Sequence, residues 1–355
     1  MGRFLQPRLV LMMLAALAGT GGAAWAGDIY KTEAAKSDAV ALPNPAEVQA
    51  LAVYPAKLSL KGSDDAGQLI LTATLAGGRF QDLSGDVAYR VADPKIARIS
   101  TAGRVVPLAN GATEITASYG SKSAKVAVTC EATDVNLPIN FGNQIVPIFT
   151  KLGCDSGGCH GKASGQNGFK LSLLGFEPEI DYTALVEEAR GRRIFPAAPD
   201  HSLLLLKATG TIAHGGGKRI EMGSDEYKLI RRWIAAGNPF GKRTDPTVTK
   251  ISVYPEAGRV LTRNNKQQLA LFAHYSDGAV EDVTRRTQYE SNDTEIAVVE
   301  PSGLVRTLGL SGEAAIMARY QGHVTVFRAT VPLGAQIPAY QFPAQTVVDG
   351  PALKK

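Results

Sequence analysis

At 355 residues the chain is longer than one ordinary hydrophobic core accommodates, which predicts several domains. Its formal net charge is +5, and no patch is basic enough to indicate nucleic-acid binding. No segment beyond the N-terminal region is apolar enough to predict a membrane span. We therefore expect a multidomain protein with no nucleic-acid partner and no transmembrane segment once a leader is removed.

The first 26 residues have the pattern of a secretory signal peptide. Arg3 and Arg8 form a basic start, the apolar run 9–18 is too short to span a bilayer, and Ala-Trp-Ala at 24–26 is a small-x-small cleavage site. Cleavage before Gly27 would lower the formal charge from +5 to +3. We expect a periplasmic, cell-surface or secreted protein; an uncleaved anchor helix is the alternative.

An internal repeat with an offset of 200 residues divides the rest of the chain. Both copies open on Val-Tyr-Pro, and later positions return in the same register, slipping by one residue near the end. Chance does not produce such a register, so the sequence predicts two copies of one domain. Representative matching pairs are Tyr54 and Tyr254, Leu71 and Leu271, Asp82 and Asp282, Ile96 and Ile296, and Val105 and Val305.

Each copy has the pattern of short strands. Leu69, Leu71 and Ala73 alternate with polar or small residues, and their counterparts 200 positions later do the same, which indicates strands with one buried face. Turn signals such as Gly77-Gly78 separate the strands, so about 80 residues form an antiparallel sandwich. The pattern resembles bacterial Ig-like domains of group 2 over most of 51–130 and 250–332. That resemblance implies spacer or adhesion modules without catalytic residues.

The segment between the two copies has a different pattern. Apolar residues recur at helical spacing, and acidic or hydroxyl residues stand where helices would be capped. The predicted helices are Ile145 to Leu152, with Pro147 in its first turn; Asp181 to Ala189, capped by Asp181; Leu203 to Ala208, capped by Asp200; and an amphipathic helix capped by Ser224, with an apolar face containing Trp233, that ends at Gly237.

Residues 154–160, Cys-Asp-Ser-Gly-Gly-Cys-His, have the order of a c-type haem attachment site. Thioethers from Cys154 and Cys159 would hold the porphyrin, and His160 would bind the iron. The usual spacing has two residues between the cysteines and this chain has four, with Gly157-Gly158 supplying backbone freedom for the wider loop. A disulfide between the two cysteines is the alternative. A zinc site is excluded, because the remaining histidines form no second Cys/His pair.

Further motifs surround the Cys-His segment, and a helix leading into it with an aromatic helix closing the domain is the layout of a class I cytochrome c. This region resembles the planctomycete-type cytochrome c module. The resemblance lies in residues 153–176 together with the pairs and runs at 192–193, 199–204, 214–219 and 227–234. In that family the module often lies between group 2 Ig-like domains, ahead of two large domains of unknown function. The resemblance covers about 140–335 and implies one covalent haem c at the wider spacing. The family usually continues near Lys355, so we expect a short version, a split gene or a fragment.

The second axial ligand of the predicted haem is Met222, which immediately precedes the closing helix. His214, followed by three glycines, is the alternative and would give a lower reduction potential. The Gly-Gly-Gly-Lys run after His214 lacks the order of a phosphate-binding loop. Haem propionates would bind Arg192, Arg193 and Arg219, for which a solvated surface position is the alternative.

The predicted fold class is multidomain, with two all-β Ig-like sandwiches and an inserted, mainly α, class I cytochrome c-like domain. His274 and His323 are assigned to solvated surface, and Cys130 is a lone thiol, either buried or available to a second molecule. The predicted organisation is a signal peptide at 1–26, a linker at 27–50, an Ig-like domain at 51–133, the haem domain at 134–246, a second Ig-like domain at 247–333 and a Pro-containing tail at 334–355.

The function predicted from the sequence is haem binding and one-electron transfer by an exported monohaem c-type cytochrome, with an unknown redox partner. No Ser/His/Asp, paired-carboxylate or metal-hydrolase constellation occurs, so we expect no enzyme. One alternative is a cell-surface adhesion or scaffold protein with a disulfide-stapled spacer, which would bind a surface polymer or protein through its Ig-like domains. Another is a truncated part of a larger multidomain protein.

Overall fold

The computed structural model describes residues 40–256 and 258–334, which form two β-sandwiches and an insert that lies between them in the chain. All described residues belong to one compact unit, Ala35–Lys355. The predicted signal peptide, residues 27–39 of the predicted linker and residues 335–355 of the predicted tail lie outside the described residues.

The first sandwich is built from short strands whose inward side chains form one apolar core. Its sheets have the orders β1-β4-β5, β2-β10-β9-β6 and β3-β8-β7, with β2 parallel to β10. The strands are β1 Val48–Tyr54, β2 Lys57–Lys61, β3 Gly67–Gln68, β4 Ile70–Leu75, β5 Phe80–Asp82, β6 Ala88–Val91, β7 Ala97–Ile99, β8 Arg104–Pro107, β9 Gly111–Tyr119 and β10 Lys122–Glu131.

The inward alternation along β10 decides the environment of Cys130. Val126, Val128 and Cys130 point into the core and alternate with exposed residues, as the two-residue period of a strand requires. Cys130 is 1% exposed, and burial raises the pKa of its thiol. Of the two alternatives predicted for Cys130, a buried thiol or one available to a second molecule, the structure shows the buried thiol.

The second sandwich repeats the first, with sheet orders β11-β14-β15, β12-β20-β19-β16 and β13-β18-β17, and with β12 parallel to β20. The repeat in sequence is thus a repeat in fold. The strands are β11 Val248–Tyr254, β12 Arg259–Val260, β13 Lys266–Gln268, β14 Ala270–Tyr275, β15 Val280–Asp282, β16 Gln288–Ser291, β17 Ala297–Val299, β18 Leu304–Thr307, β19 Gly312–Tyr320 and β20 His323–Val331.

Two histidines of this sandwich are half-buried and not solvated as predicted. The Nε2 atom of His274 lies 2.8 Å from Ser252 Oγ on the neighbouring strand β11. The Nε2 atom of His323 lies 3.2 Å from the carbonyl oxygen of Val248. The prediction of solvated surface is wrong because an outward position on one strand is still covered by side chains and backbone of the strand beside it.

The insert contains short helices and many turns. Its α-helices are α1 Val146–Lys151, α2 Pro178–Tyr182, α3 Leu203–Ala208 and α4 Asp225–Ala235. The 3₁₀ turns of the insert are Leu173–Gly175, Glu188–Gly191 and Pro199–His201, with π turns at Phe141–Ile145 and Thr183–Glu187. Outside the insert, 3₁₀ turns span Pro45–Glu47, Ala76–Gly78 and Thr284–Arg286.

The prediction of a mainly α, class I cytochrome c-like domain is wrong. Only α4 exceeds six residues among the described helices, and most of the insert is turn and bend. Ala189 and Arg190 have positive φ angles, which an α-helix does not accommodate, and the helical segment before them ends at Glu187, short of the predicted Ala189. Two predicted capping residues are also wrong. Asp181 lies inside α2, and the residue that caps the start of α3 is Ser202, not Asp200.

The helix α4 confirms the prediction made for its start and end. Ser224 Oγ accepts a hydrogen bond from the backbone N–H of Tyr227, and two acidic residues in the first turn face the positive end of the helix dipole. Gly237 follows the helix with φ +82°. The buried face of α4 includes Trp233, which is 0% exposed and donates from Nε1 to the carbonyl of Pro239 at 2.9 Å.

Ser224→Ala is expected to lower the free energy of unfolding by about 1 kcal/mol, because the amide of Tyr227 loses its side-chain acceptor. The measurement is urea denaturation followed by circular dichroism. Ser224→Asp keeps an acceptor at the cap and is the matched control, for which we expect a loss within about 0.5 kcal/mol of wild type. Equal destabilisation by both substitutions would show that the cap contributes nothing.

The insert makes polar contacts with both sandwiches. Arg232 pairs with Asp64 of the first sandwich, and Arg104 of that sandwich forms a 2.7 Å ion pair with Asp225. On the other side, the Tyr320 hydroxyl donates to the carbonyl oxygen of Asn143 at 2.8 Å. The insert therefore contacts both sandwiches through side chains, in addition to its covalent connections at either end.

The two sandwiches also contact one another through matching residues of the repeat. The Gln68 N–H donates to Asp282 Oδ2 at 2.7 Å, and the Gln268 N–H donates to Asp82 Oδ2 at 2.6 Å. Each bond is the repeat-related copy of the other, which is the reciprocity of a two-fold interface. We call this contact the seam, and define it by Gln68, Asp82, Gln268 and Asp282, together with the stacked pair Tyr54 and Tyr254.

Candidate functional site

The Cys-His segment lies on a loop closed by its own backbone. The helix α1 ends before Gly153, whose φ of +70° turns the chain away from the helix axis. The Cys154 N–H then donates to Phe149 O at 2.8 Å, and the His160 N–H donates to Cys154 O at 2.9 Å. These bonds bring both ends of the wide Cys-x-x-x-x-Cys spacing together, so residues 154–160 form one compact turn.

His160 is held in a defined orientation. Its Nδ1 atom lies 3.0 Å from the carbonyl oxygen of Phe169, and its ring packs against the Phe169 ring with centroids 4.5 Å apart. A carbonyl oxygen only accepts, so Nδ1 carries the proton and Nε2 keeps a free lone pair. Burial lowers the pKa of His160, which favours this neutral form. The imidazole is therefore oriented and protonated as a ligand would be.

A second imidazole lies parallel to the first. The ring centroids of His160 and His214 are 6.3 Å apart, with an angle of 8° between the ring planes. The Nδ1 atom of His214 is 2.8 Å from the carbonyl oxygen of Gly217, so its proton is also on Nδ1. The Gly215-Gly216-Gly217 run lets the chain close this turn. Two imidazoles, each with a proton on Nδ1, thus stand side by side at the Cys-His loop.

The two cysteines of the loop are free thiols in the described structure. Cys154 packs against the core of the insert, and burial, followed by the nearby Asp155 carboxylate, raises the pKa of its thiol to about 12. The sulfur of Cys159 lies 3.9 Å from Nη2 of Arg219. Cys154, Cys159 and His160 are therefore near one another, with one cation beside them.

The three predicted propionate-binding arginines have different environments. Arg193 is buried, donates to the carbonyls of Ala184 and Gly168 at 2.7 and 2.8 Å, and stacks over Phe169. It positions the residue whose carbonyl holds His160. Arg192 is exposed. Of the three, Arg219 is the one that contacts the Cys-His loop.

Met222 lies elsewhere. Its side chain is 67% exposed and lines a cavity of about 380 Å³ that it shares with Asp200, Leu205 and Tyr227. None of the Cys-His loop residues line that cavity. The structure therefore brings His214 to His160 and places Met222 in a separate cavity.

The seam residues are contact positions between the two copies that the sequence pattern did not identify. Asp82 is 2% exposed and Asp282 is half-buried, and burial raises the pKa of both carboxyl groups, to about 6 for Asp82. The sequence shows Asp82 and Asp282, and likewise Tyr54 and Tyr254, at equivalent positions of the 200-residue repeat. That recurrence also fits two independent copies of a fold, so only the structure shows that the copies meet there.

Comparisons with known proteins give weak likenesses. No family model matches the chain. "Ice-binding protein 1" of Shewanella frigidimarina (strain NCIMB 400) is 26% identical over 282 residues, covering 77% of this chain and 27% of that protein. This chain thus spans about a quarter of that relative. The solved S-layer protein rSbsC(31-844) matches over 86% of this chain and 30% of its own length, with 13% identity and a TM-score of 0.22. Domains 5–6 of the S-layer protein SbsC match over 81% of this chain with 13% identity and a TM-score of 0.32.

The recognition of a planctomycete-type cytochrome c domain flanked by two group 2 Ig-like domains is wrong. No family model supports it, and a curated relative that aligns with 77% of the chain is named "Ice-binding protein 1". The description of the chain as an electron-transfer cytochrome is wrong with it, because that description depended on the same recognition. Among residues 40–256 and 258–334, no three His, Cys, Asp or Glu side chains group so that they could hold a metal ion by themselves. In the same residues, no helix is both long and apolar enough to cross a membrane.

Proposed function

We propose that the chain is a cell-surface scaffold protein in which two Ig-like sandwiches act as one stiff unit and present the insert. The observation that carries the proposal is the seam, where each copy accepts a backbone hydrogen bond from the other through a carboxylate, buried at Asp82 and half-buried at Asp282. Contacts between domains of one chain are ordinarily small, polar and mobile. A reciprocal pair of charge-assisted bonds supports a fixed arrangement instead.

Further contacts support stiffness on both sides of the seam. Lys266 of the second sandwich pairs with Asp86 of the first at 2.7 Å, with both side chains largely enclosed. The Tyr54 and Tyr254 rings stack with centroids 3.7 Å apart. A scaffold needs such resistance to bending and needs no catalytic group, so the proposal assigns the chain no reaction. The natural partner is a polymer or protein of the cell surface.

Export is part of the proposal and rests on the predicted signal peptide. The ice binding named for the Shewanella relative is not carried over, because this chain spans only 27% of that protein. What the resemblance adds is that most of this chain, 77%, aligns with part of a larger protein.

The proposed location is tested on intact cells that produce the chain with its N terminus unchanged. Added proteinase K should degrade the chain before lysis, while a cytoplasmic marker protein stays intact. A matched sample of cells with a permeabilised outer layer separates a surface protein from a periplasmic one. Recovery of the chain only in the cytoplasmic fraction would contradict the proposal.

We propose separately that the Cys-His loop attaches one haem covalently, a proposal about the site that implies neither a cytochrome fold nor electron transfer. The observation favouring it is the parallel pair of imidazoles, His160 and His214, beside two free thiols. Cys154 and Cys159 would hold the haem through two thioethers, and His160 and His214 would bind its iron. Arg219 would neutralise a propionate.

Expressed with a cytochrome c maturation system, the chain is expected to gain the mass of one haem that survives denaturation, because thioethers do not break on unfolding. Replacing both Cys154 and Cys159 with alanine should abolish that mass gain. His214→Ala should convert the ferric absorption spectrum from low-spin to high-spin, whereas Met222→Ala should leave it unchanged. The reverse pattern would make Met222 the axial ligand, and an unmodified mass in the wild type would refute the attachment.

A further inference from the structure

A lysine of the second sandwich and a carboxylate of the first meet beside the seam. Lys266, at the start of β13, donates from Nζ to Asp86 Oδ1 at 2.9 Å, and the same nitrogen lies 2.7 Å from Oδ2. A nitrogen so close to both oxygens is about 3 Å from the carboxyl carbon that joins them, which is the separation of two atoms ready to react. An amine nitrogen and an acyl carbon are therefore in contact across the interface.

Both partners are held in place and largely shielded from water. The exposed fraction of the side chain is 14% for Lys266 and 15% for Asp86. The Asp86 N–H donates to Leu83 O at 2.9 Å and closes a turn, and the Lys266 nitrogen lies over that turn, 3.8 Å from where a Cβ on Gly85 would be. Two groups fixed in this way react as if at a very high local concentration.

A further carboxyl group lies next to this pair. Asp82 is 2% exposed, and it accepts from the N–H of Gln268, two residues after Lys266, at 2.6 Å. Burial raises the pKa of Asp82 to about 6, and the positive charge of Lys266 partly opposes that rise. A carboxyl group with such a pKa takes up and returns protons near neutral pH, which is the behaviour of a general acid and base.

The lysine–carboxylate pair departs from the two-fold relation of the seam. At the equivalent positions of the repeat, Ala66 corresponds to Lys266 and Arg286 corresponds to Asp86. Those positions therefore hold neither the amine nor the carboxylate. The carboxyl group of Asp282, which corresponds to Asp82, provides a matched control on the side of the seam without the pair.

We propose that Lys266 and Asp86 condense to an isopeptide bond that joins the two sandwiches covalently. The Nζ lone pair attacks Cγ of Asp86, an N–C bond forms, and the bond from Cγ to one carboxyl oxygen breaks. Of the three Nζ protons, one stays on the amide and two pass through the Asp82 carboxyl group to the leaving oxygen, which departs as water. A neutral amide thus replaces an enclosed ion pair, whose desolvation is costly. The inference rests on the proposed stiff scaffold and makes its stiffness covalent.

The test is tandem mass spectrometry of the purified chain after digestion with trypsin. In wild type we expect the peptides containing Lys266 and Asp86 as one cross-linked species, lighter than their sum by one water. Lys266→Ala and Asp86→Ala should each abolish that species. Asp82→Asn keeps an oxygen acceptor for the Gln268 amide but no longer transfers protons, so it should lose the cross-link, whereas Asp282→Asn should keep it.

Separate wild-type peptides of full mass, with no cross-linked species, would refute the bond. Equal cross-linking in Asp82→Asn and Asp282→Asn would overturn the role of Asp82 in the reaction. The distance distribution between the two sandwiches tests the stiff arrangement whether or not the bond forms. A narrow distribution together with uncross-linked peptides would therefore refute this inference and leave the scaffold proposal in place.

Discussion

Replacing Asp82 with alanine is expected to lower the free energy of unfolding by about 3 kcal/mol or more. The reason is that the carboxylate accepts from two buried N–H groups: that of Gln268 across the seam at 2.6 Å and that of Ser84 in its own turn at 2.9 Å. Without it both donors are enclosed with no acceptor. The measurement is urea denaturation together with hydrogen exchange of the Gln268 amide, which should lose its protection.

Two further substitutions separate the seam from the turn. Ser84→Ala removes only partners inside the first sandwich, so it should cost stability while the Gln268 amide stays protected. Asp82→Asn retains an oxygen acceptor for that amide and should cost less than Asp82→Ala. If Ser84→Ala and Asp82→Ala expose the Gln268 amide equally, the seam bond is not what protects it.

The seam should also make stability depend on pH. Burial raises the pKa of Asp82 to about 6 from an ordinary value of 3.8, an effect partly offset by hydrogen bonds from Ser84. The folded state therefore binds this proton more tightly than the unfolded state, and the free energy of unfolding should fall as pH rises from about 4 to about 6. Denaturation titrations at several pH values should show that fall in wild type, and a smaller one in Asp82→Asn.

Trp233→Ala is expected to lower the free energy of unfolding by about 4 kcal/mol, because it empties the largest fully buried position of the insert. The Trp233 ring lies 5.3 Å from that of Phe141, and its Nε1–H bond to Pro239 O would also be lost. Calorimetry should show the insert unfolding at a lower temperature than the sandwiches. Trp233→Phe keeps most of the volume and loses mainly the hydrogen bond, so we expect a cost of about 1 kcal/mol. Equal costs for the two variants would contradict the packing argument.

The local features of the fold were predictable because they depend on neighbouring residues. The two-residue alternation around Leu71 and Leu271 predicts strands that the structure contains, and Ser224 and Gly237 predict the ends of α4. Helical spacing elsewhere in the insert also predicted α1 and α3, and it was misleading only at the second helix. Positive φ angles at Ala189 and Arg190 follow the end of that helical segment, and nothing in the sequence pattern indicates such angles at these two residues.

The long-range features were not predictable for a different reason. A repeat shows that Asp82 and Asp282 occupy equivalent places, but one copy's pattern does not say which of its faces meets the other copy. The same holds at the Cys-His loop, where chain order favoured Met222 as the partner of His160. The structure brings the His214 ring there, because a loop with three consecutive glycines turns back toward Phe169 and His160.

The central claim, that the two sandwiches form one stiff body, is tested most directly by a distance between them. Nitroxide labels at Lys95→Cys and Glu295→Cys, which are exposed and equivalent in the repeat, would be measured by double electron–electron resonance, with Cys154 and Cys159 replaced by alanine. We predict one narrow distance distribution that broadens when Asp82 and Asp282 are both changed to alanine. A broad distribution before those two changes, or a distribution that they leave unaltered, would contradict the account.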